Sequence, residues 1–407
     1  SFFGRVQADV QLNHQEETMS LYTQDGVDIE AGDDFSAFAN KVARETWKHS
    51  RFVHIHDLSK GHFRGPMMLL PSDTMPKGCG FDFAPDGVGT KVTLITEALS
   101  HRQAARDVLA MTAGDITRYG GLTVAFSNVL DVRKLGDPGT PSRQAFEQLI
   151  LGLADAALEQ GIVLYRGETA ELGDCVSSEN PEAVTHFNWA GFAIGLHHPD
   201  KVITGERLKP GQPIVAIREN GFRSNGMSTV RKALRMKFGE EYNGKWWENP
   251  KARNSIRAAA APSVLPDRFL AEVNGWYDPE FVAQIRIVAI AHITGGGILG
   301  KFGNDILFPM GLSADLPNLD GPPPVMLDCV EWRGFTDSEE IYKTLGCGQC
   351  VLVVLENNRD AKLFVELAKH QGLDAQPAGN IEDNDETGPA LRIDSKFDGK
   401  EFTYRPK

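Results

Sequence analysis

Phe81-Asp82-Phe83-Ala84-Pro85 runs into Asp86-Gly87-Val88-Gly89-Thr90-Lys91, and Val92-Thr93-Leu94-Ile95-Thr96-Glu97-Ala98-Leu99 follows with apolar residues at helical spacing. The pattern predicts a strand, a glycine turn and a helix start. Two glycines let backbone N–H groups approach an anion closely, and a helix N-terminus adds a partial positive charge. The acid and the lysine that bracket the turn suit a metal and a phosphate respectively. The spacing is not that of a Walker A loop, and the same residues also suit a tight turn with a solvated Asp and Lys.

Composition narrows the classes. With 407 residues the chain has room for two or three domains, each with its own core. Hydrophobic residues make up 41% and charged residues 24%, the balance of a soluble globular protein. No apolar run reaches the ~20 residues that span a bilayer, and Ser1-Phe2-Phe3-Gly4-Arg5 gives way to a polar, acidic stretch without the apolar core of a signal peptide. A net charge of −13 argues against a general nucleic-acid binder, while leaving room for a basic pocket that takes a small anionic substrate. Five cysteines in so long a chain do not form a disulfide framework, and a cytoplasmic setting is expected.

Outward from the opening loop, strands and helices alternate. A helical pattern runs through Phe35, Phe38, Ala39 and Val42; Asp107–Ile116 reads as a helix ending near Asp115; Leu122–Leu130 reads as a strand and Ser142–Gln160 as a helix. The strand Ile162–Tyr165 runs into Arg166-Gly167-Glu168-Thr169-Ala170-Glu171, and Phe187–Leu196 closes this half. The turn-rich stretch His197–Pro213 is the expected domain boundary. Beyond it the strand Pro213–Arg218, the turn Asn220-Gly221-Phe222-Arg223-Ser224-Asn225-Gly226 and a helix from Ser228 repeat the opening design. Ile287–Ala291 ends in His292-Ile293-Thr294-Gly295-Gly296-Gly297, a second glycine loop. The Trp-bearing region 240–282 reads as surface elaboration and 309–325 as proline-rich connection, with Gln349–Leu355, Asp360–His370 and Ala375–Ile381 as a final strand, helix and closing strand. The expected organisation is an arm over 1–20, an N-terminal domain over 21–200 and a C-terminal domain over 205–407, in an α/β (α+β layered) fold.

Two constellations carry less chemistry. His49, His54, His56 and His62 do not match any standard zinc spacing. Cys347-Gly348-Gln349-Cys350 is followed by a β-run, whereas a redox pair needs a helix start and a zinc site a second such pair.

Taken together and in order, Gly26-Val27-Asp28-Ile29-Glu30-Ala31-Gly32, Asp86–Lys91, Gly167–Glu171, Ser224-Asn225-Gly226, Ala291–Gly297 and Leu345-Gly346-Cys347-Gly348 resemble the motifs of the aminoimidazole ribonucleotide synthetase (phosphoribosylformylglycinamidine cyclo-ligase) family over roughly residues 21–385. The superfamily also holds formylglycinamidine synthase, selenophosphate synthetase, thiamin-phosphate kinase and a hydrogenase-maturation dehydratase. The resemblance implies a two-domain fold, N-terminal domains that pair into a homodimer, and ATP with Mg²⁺ in a cleft. It further implies that the formyl oxygen of formylglycinamidine ribonucleotide is phosphorylated. By the same resemblance Asp86, Asp115 and Glu168 would hold the metal. Gly87, Gly89, Thr90 and Lys91 would meet phosphate together with Asp115 and Glu168, and Lys91, Asn225 and His292 would act in catalysis. Arg223, Ser224, Asn225 and Arg64 would face a small phosphorylated substrate.

Departures lie on the substrate side. Lys60-Gly61-His62-Phe63-Arg64-Gly65 is more basic and bulkier than the family's loop, Arg223 stands for its histidine, Arg166 for its first glycine, and Pro262-Ser263-Val264-Leu265-Pro266 for its Pro-Thr-Arg-Ile-Tyr. Alternatives are therefore a diverged synthetase or kinase for another amide, carbamoyl or phosphate substrate, and a non-catalytic ATP-binding assembly subunit.

Overall fold

The computed structural model describes residues 29–59 and 65–406. The expected arm over 1–20, Gly26–Asp28 of the Gly26–Gly32 motif, and His62 and Arg64 lie outside the described residues.

The opening stretch folds as its pattern predicts. Strand β3 (Gly80–Gly87) reaches the glycine turn, and a helix begins at Lys91. In chain order the N-terminal half holds α1 (Ile29–Thr46), the hairpin β1 (Val53–Asp57) and β2 (Met67–Pro71), then β3. After these come α2 (Lys91–Ala98), α3 (His101–Thr117), β4 (Leu122–Val132), α4 (Pro141–Gln160), β5 (Val163–Glu171) and β6 (Phe187–His197). The sheet order is β3-β6-β4-β5, antiparallel except for β4 and β5, which α4 joins as a parallel crossover.

Helices α3 and α4 cover one face of this sheet, with Val108, Leu109, Phe126, Phe146, Leu149 and Trp189 in the shared core. Gly191 and Gly195 in β6 allow that contact, because a side chain at either would run into Phe126 or Ile116. The β1–β2 hairpin covers part of the other face. The rest of that face leaves Phe83 64% exposed, with Phe81 and Phe192 beside it in the open.

The C-terminal half is a seven-stranded sheet of order β13-β12-β9-β11-β7-β10-β8, built from β7 (Pro213–Arg218), β8 (Ile287–His292), β9 (Ser313–Leu316), β10 (Gln349–Leu355), β11 (Ala375–Glu382), β12 (Leu391–Asp394) and β13 (Glu401–Tyr404). β7, β8 and β10 are apolar on both faces because helices cover both. α5 (Met227–Phe238) and α6 (Arg253–Ala259) belong to one core; α7 (Asp267–Val273) and the helix Asn358–His370 belong to the other. The two-domain α/β expectation is met.

Several details differ from the sequence reading. α3 starts at His101, six residues before the expected Asp107, and in this added stretch His101, Ala104 and Ala105 are buried while Arg102 and Gln103 are exposed. The strand read over Ile162–Tyr165 continues through the motif Arg166–Glu171, which is the second half of β5. In region 240–282 two short helices form, and Trp246 and Trp276 are fully buried. β9 forms within the expected connection, and β12 and β13 follow the strand read as closing. His54 and His56 alternate outward on β1.

His101 shows what the early helix start costs. Its ring is 3% exposed, with Nε2 2.9 Å from Thr185 Oγ1, and burial pushes its pKa down to about 4. The unfolded chain takes up this proton near pH 6.5, whereas the folded chain resists it until about pH 4. The unfolded state therefore binds more protons in that window, and stability falls as pH drops through it. Denaturant melts should lose roughly 2 kcal/mol from this one group between pH 7 and pH 5. His101→Gln should flatten that part of the pH dependence, and an unaltered slope would refute the assignment.

Candidate active site

Strand β3, the end of α3, the end of β8 and the π-helical segment Leu299–Leu307 converge at one end of the N-terminal sheet. Asp86 terminates β3, and its Oδ1 accepts the Gly87 amide at 2.7 Å. The turn is held from behind: Val88 is fully buried and its N–H donates to Trp189 O at 3.0 Å. Gly89 has φ +60 with open space where a Cβ would be, and Thr90 beside it is exposed. The loop thus presents bare backbone at a helix N-terminus, the geometry that suits an anion.

Asp115 lies one turn from the end of α3. Its Oδ1 is 3.5 Å from His292 Nδ1 and 3.9 Å from Arg118 Nη1. Burial pushes Asp115 upward, yet His292, Arg118 and Lys301 together hold its carboxyl below the usual range. Asp86 behaves oppositely: burial and the nearby Asp115 charge raise it, against the Gly87 amide and Lys301. Two carboxylates are thus close enough to repel, with one ammonium, Lys301, acting on both.

His292 itself is buried. Burial, and then repulsion from Arg223, bring its pKa down to about 4, so it is neutral at pH 7 and helps Asp115 as an N–H donor and not as a charge. Its tautomer follows from its partners. Arg223 Nη2 and Nε lie 2.9 and 3.2 Å from His292 Nε2. A guanidinium has only N–H donors, so Nε2 must accept and the ring proton sits on Nδ1, toward Asp115.

The imidazole rests against Gly114 of α3; an added Cβ there would fall 2.2 Å from His292 Cε1. Gly114→Ala should therefore push the ring off Asp115, costing about 1–3 kcal/mol of stability by overpacking and lowering activity with it. Thermal melts and turnover measured together check this, and an alanine variant normal in both would contradict the contact.

The remaining residues singled out in the sequence fall into two groups. Ser224 and Asn225 stand at the loop opening α5, where Ser224 has φ +71 and Gly226 φ +68. Ser224 Oγ and Asn225 Nδ2 are buried with no hydrogen-bond partner among the described residues, and Asn225 Oδ1 lies 4.0 Å from the Cβ position of Gly295 in the second glycine loop. Unspent polar atoms beside a glycine loop are what a polar ligand would satisfy.

Three residues have other places. Lys91 is fully buried: its Nζ donates to Asp107 Oδ1 at 2.7 Å and to Ala261 O at 2.6 Å. Arg223 is 2% exposed; besides His292 it donates to Glu219, Val264 O, Cys350 Sγ and Ala110 O. Glu168 is exposed on β5, paired with Val129, while its neighbour Gly167 pairs with Asn128, in line with Gly191 and Asp86. Adjacent strand residues point to opposite faces, so Glu168 and Asp86 project from opposite sides of the sheet. Among the described residues no group of three or more His, Cys, Asp or Glu side chains could hold a metal. The pair Asp86 and Asp115 still fits Mg²⁺, which is commonly held by one or two carboxylates plus phosphate oxygens and water.

Lys301 and Arg118 were missed in the sequence. The available signal was a lysine one turn into the helix after Gly295-Gly296-Gly297. Cys347 and Cys350 are both buried with thiol pKa values raised by burial, and Cys350 serves the Arg223 network.

Residues 73–196 match the family model described as AIR synthase related protein, N-terminal domain, and residues 209–391 match its C-terminal domain counterpart. A phosphoribosylformylglycinamidine cyclo-ligase from Staphylococcus saprophyticus is 28% identical over 369 residues, covering 88% of this chain and 95% of that protein. One of the same name from Staphylococcus aureus is 26% identical, covering 91% and 98%. Among solved structures, thiamine-monophosphate kinase from Stenotrophomonas maltophilia superposes with a TM-score of 0.54 at 15% identity, covering 89% of this chain and 96% of that one, a likeness of fold. With both halves matched in order around one site, the chain belongs to the AIR synthase related protein family and is an enzyme of the ligase type.

Proposed function

We propose that the protein is an ATP- and Mg²⁺-dependent cyclo-ligase that converts formylglycinamidine ribonucleotide to aminoimidazole ribonucleotide, ADP and phosphate. The observation that carries this reading is the meeting of the Asp86–Thr90 loop with Asp115 and His292, in a chain whose curated relatives of that name align over about nine-tenths of its length.

An amide-type oxygen is a poor leaving group, and phosphorylation removes that barrier. The formyl oxygen takes the γ-phosphoryl group and ADP departs. The amidine nitrogen then closes on the formyl carbon, and phosphate leaves carrying that oxygen while the nitrogen loses a proton. Asp86 and Asp115 would hold Mg²⁺, which supplies charge neutralisation on the phosphates. The amides of Gly89 and Thr90 would orient the phosphate chain at the N-terminus of α2, because those of Gly87 and Val88 are spent on Asp86 Oδ1 and Trp189 O. Lys301 takes the part expected of Lys91, because it is the ammonium acting on both carboxylates while Lys91 is spent on Asp107. Ser224 and Asn225 offer their unspent polar atoms to the substrate, and His292 keeps its proton at Nδ1 to hold Asp115 ionised and in place.

Purified protein with ATP, Mg²⁺ and formylglycinamidine ribonucleotide should yield the aminoimidazole product, and its absence sinks the reading. The altered Pro262–Pro266 stretch, in place of the family's Pro-Thr-Arg-Ile-Tyr, favours a second one: a diverged member acting on another amide, carbamoyl or phosphate group. Growth of a purine auxotroph lacking the cyclo-ligase, restored by this chain, would refute that alternative. The open Phe81, Phe83 and Phe192 face supports pairing of N-terminal domains into a homodimer, and a monomer by sedimentation at every concentration would exclude it.

A further inference from the structure

An open groove of about 720 Å³ runs beside α5, lined by Ser228, Arg231, Lys232, Arg235 and, from the N-terminal domain, Glu179. The volume is that of a small-molecule site. Ser228, Arg231, Lys232 and Arg235 recur at i, i+3, i+4 and i+7 and so share one helix face, while Met227, Val230, Leu234 and Phe238 turn an adjacent face into the core. Three cations in one groove run against the charge of the whole chain, which is −13.

The groove is held in shape across the domain junction. Glu179 accepts from Arg231 Nε at 3.1 Å, from Arg231 Nη2, and from Trp246 Nε1 at 3.1 Å. That fixes the Arg231 guanidinium and leaves its Nη1 N–H groups for another acceptor. Lys232 and Arg235 are exposed and form no salt bridge among the described residues. Met236 and the glycines Gly239 and Gly244 give a stretch of apolar or bare wall, and Glu240 adds a second carboxylate to the lining besides Glu179, against the three cations.

Placement connects the groove to the reaction centre. α5 begins directly after Ser224-Asn225-Gly226, and from Ser228 to Arg235 the stripe spans ~10 Å at 1.5 Å per residue. A substrate whose reacting end meets Asn225 could therefore lay a sugar along Ser228 and a phosphate against Lys232 and Arg235. The arginine that the sequence offered for that phosphate, Arg223, is buried and committed elsewhere.

We propose that this groove is a phosphomonoester site, in which Lys232, Arg235 and the free edge of Arg231 hold the dianionic phosphate of a sugar-phosphate substrate. The choice of a sugar phosphate rests on the ligase reading above; the presence of an anion site does not.

The test titrates the full chain with ribose 5-phosphate, ribose and ATP by calorimetry, and repeats each titration with Lys232→Ala, Arg235→Ala and the double variant. Unchanged melting curves certify the fold, since both side chains lie on the surface. Ribose 5-phosphate should bind, ribose should not, and each cation removed should weaken binding roughly tenfold, the size of one charge-assisted hydrogen bond. ATP affinity should stay as it was. No ribose 5-phosphate binding to the unaltered chain overturns the proposal, as does equal binding by the double variant. Loss of ATP affinity in its place assigns the groove to the nucleotide and also overturns it. A chain that shows Lys232-dependent binding but no cyclo-ligase turnover upholds the groove and refutes the substrate.

Discussion

Asp115→Asn is expected to lower turnover by roughly 10²–10³-fold with the fold intact, the usual cost of removing one group that stabilises charge in a transition state. Asparagine keeps the shape of the side chain and loses the charge that, beside Asp86, fits a divalent ion. It also removes the anion toward which His292 Nδ1 points at 3.5 Å. Glu168→Gln is the matched control. Glu168 is exposed on the far face of the N-terminal sheet, so its change should leave turnover within a few fold. Equal losses in the two variants would contradict the two-carboxylate arrangement and restore a three-carboxylate one. Varying Mg²⁺ in both assays separates a weakened metal site, which excess metal rescues, from a lost acceptor for His292.

Lys91→Met should act on stability. Removing one member of a buried ion pair leaves the other charge stranded and costs about 3–5 kcal/mol. Here the stranded group is Asp107, itself fully buried, with the Ser263 N–H at 3.1 Å and hydroxyl at 2.6 Å left to it among the described residues. The double variant Lys91→Met with Asp107→Leu should recover part of the loss, because two apolar groups replace a broken pair. Denaturant melts of the three proteins measure this. A Lys91→Met protein of normal stability and abolished turnover would instead return the residue to the phosphate.

Lys91 also shows how far the chain could be read before folding. The strand, turn and helix around it were visible in local patterning, since apolar spacing and two glycines are properties of ten consecutive residues. The direction of its side chain was not, because the partners are Asp107 on another helix and Ala261 in the other domain. Arg223 repeats the lesson. As a new guanidinium beside Ser-Asn-Gly it looked available to an anion, yet Glu219, His292 and Cys350 consume it inside the protein. Asp86, Asp115 and His292 were legible as a set because their motifs stand at the ends of strands and helices, where a fold of this kind gathers its loops. Lys301 belonged to the same gathering without a motif of its own. β12 and β13 escaped because four-residue strands with mixed polarity carry too little periodicity to read.

The contacts that seat the second and third helices of the N-terminal domain on the C-terminal one have a consequence for the connecting segment. Lys91 on Ala261 O, Asp107 on Ser263, Arg223 on Ala110 O and His292 against Gly114 all cross between the halves at buried positions. The peptide linkage between residues 198 and 212 is therefore not what keeps the halves together. Cut there, or expressed as two separate polypeptides, the protein should reassemble into a working whole, its continuity carried by side chains where the main chain is broken.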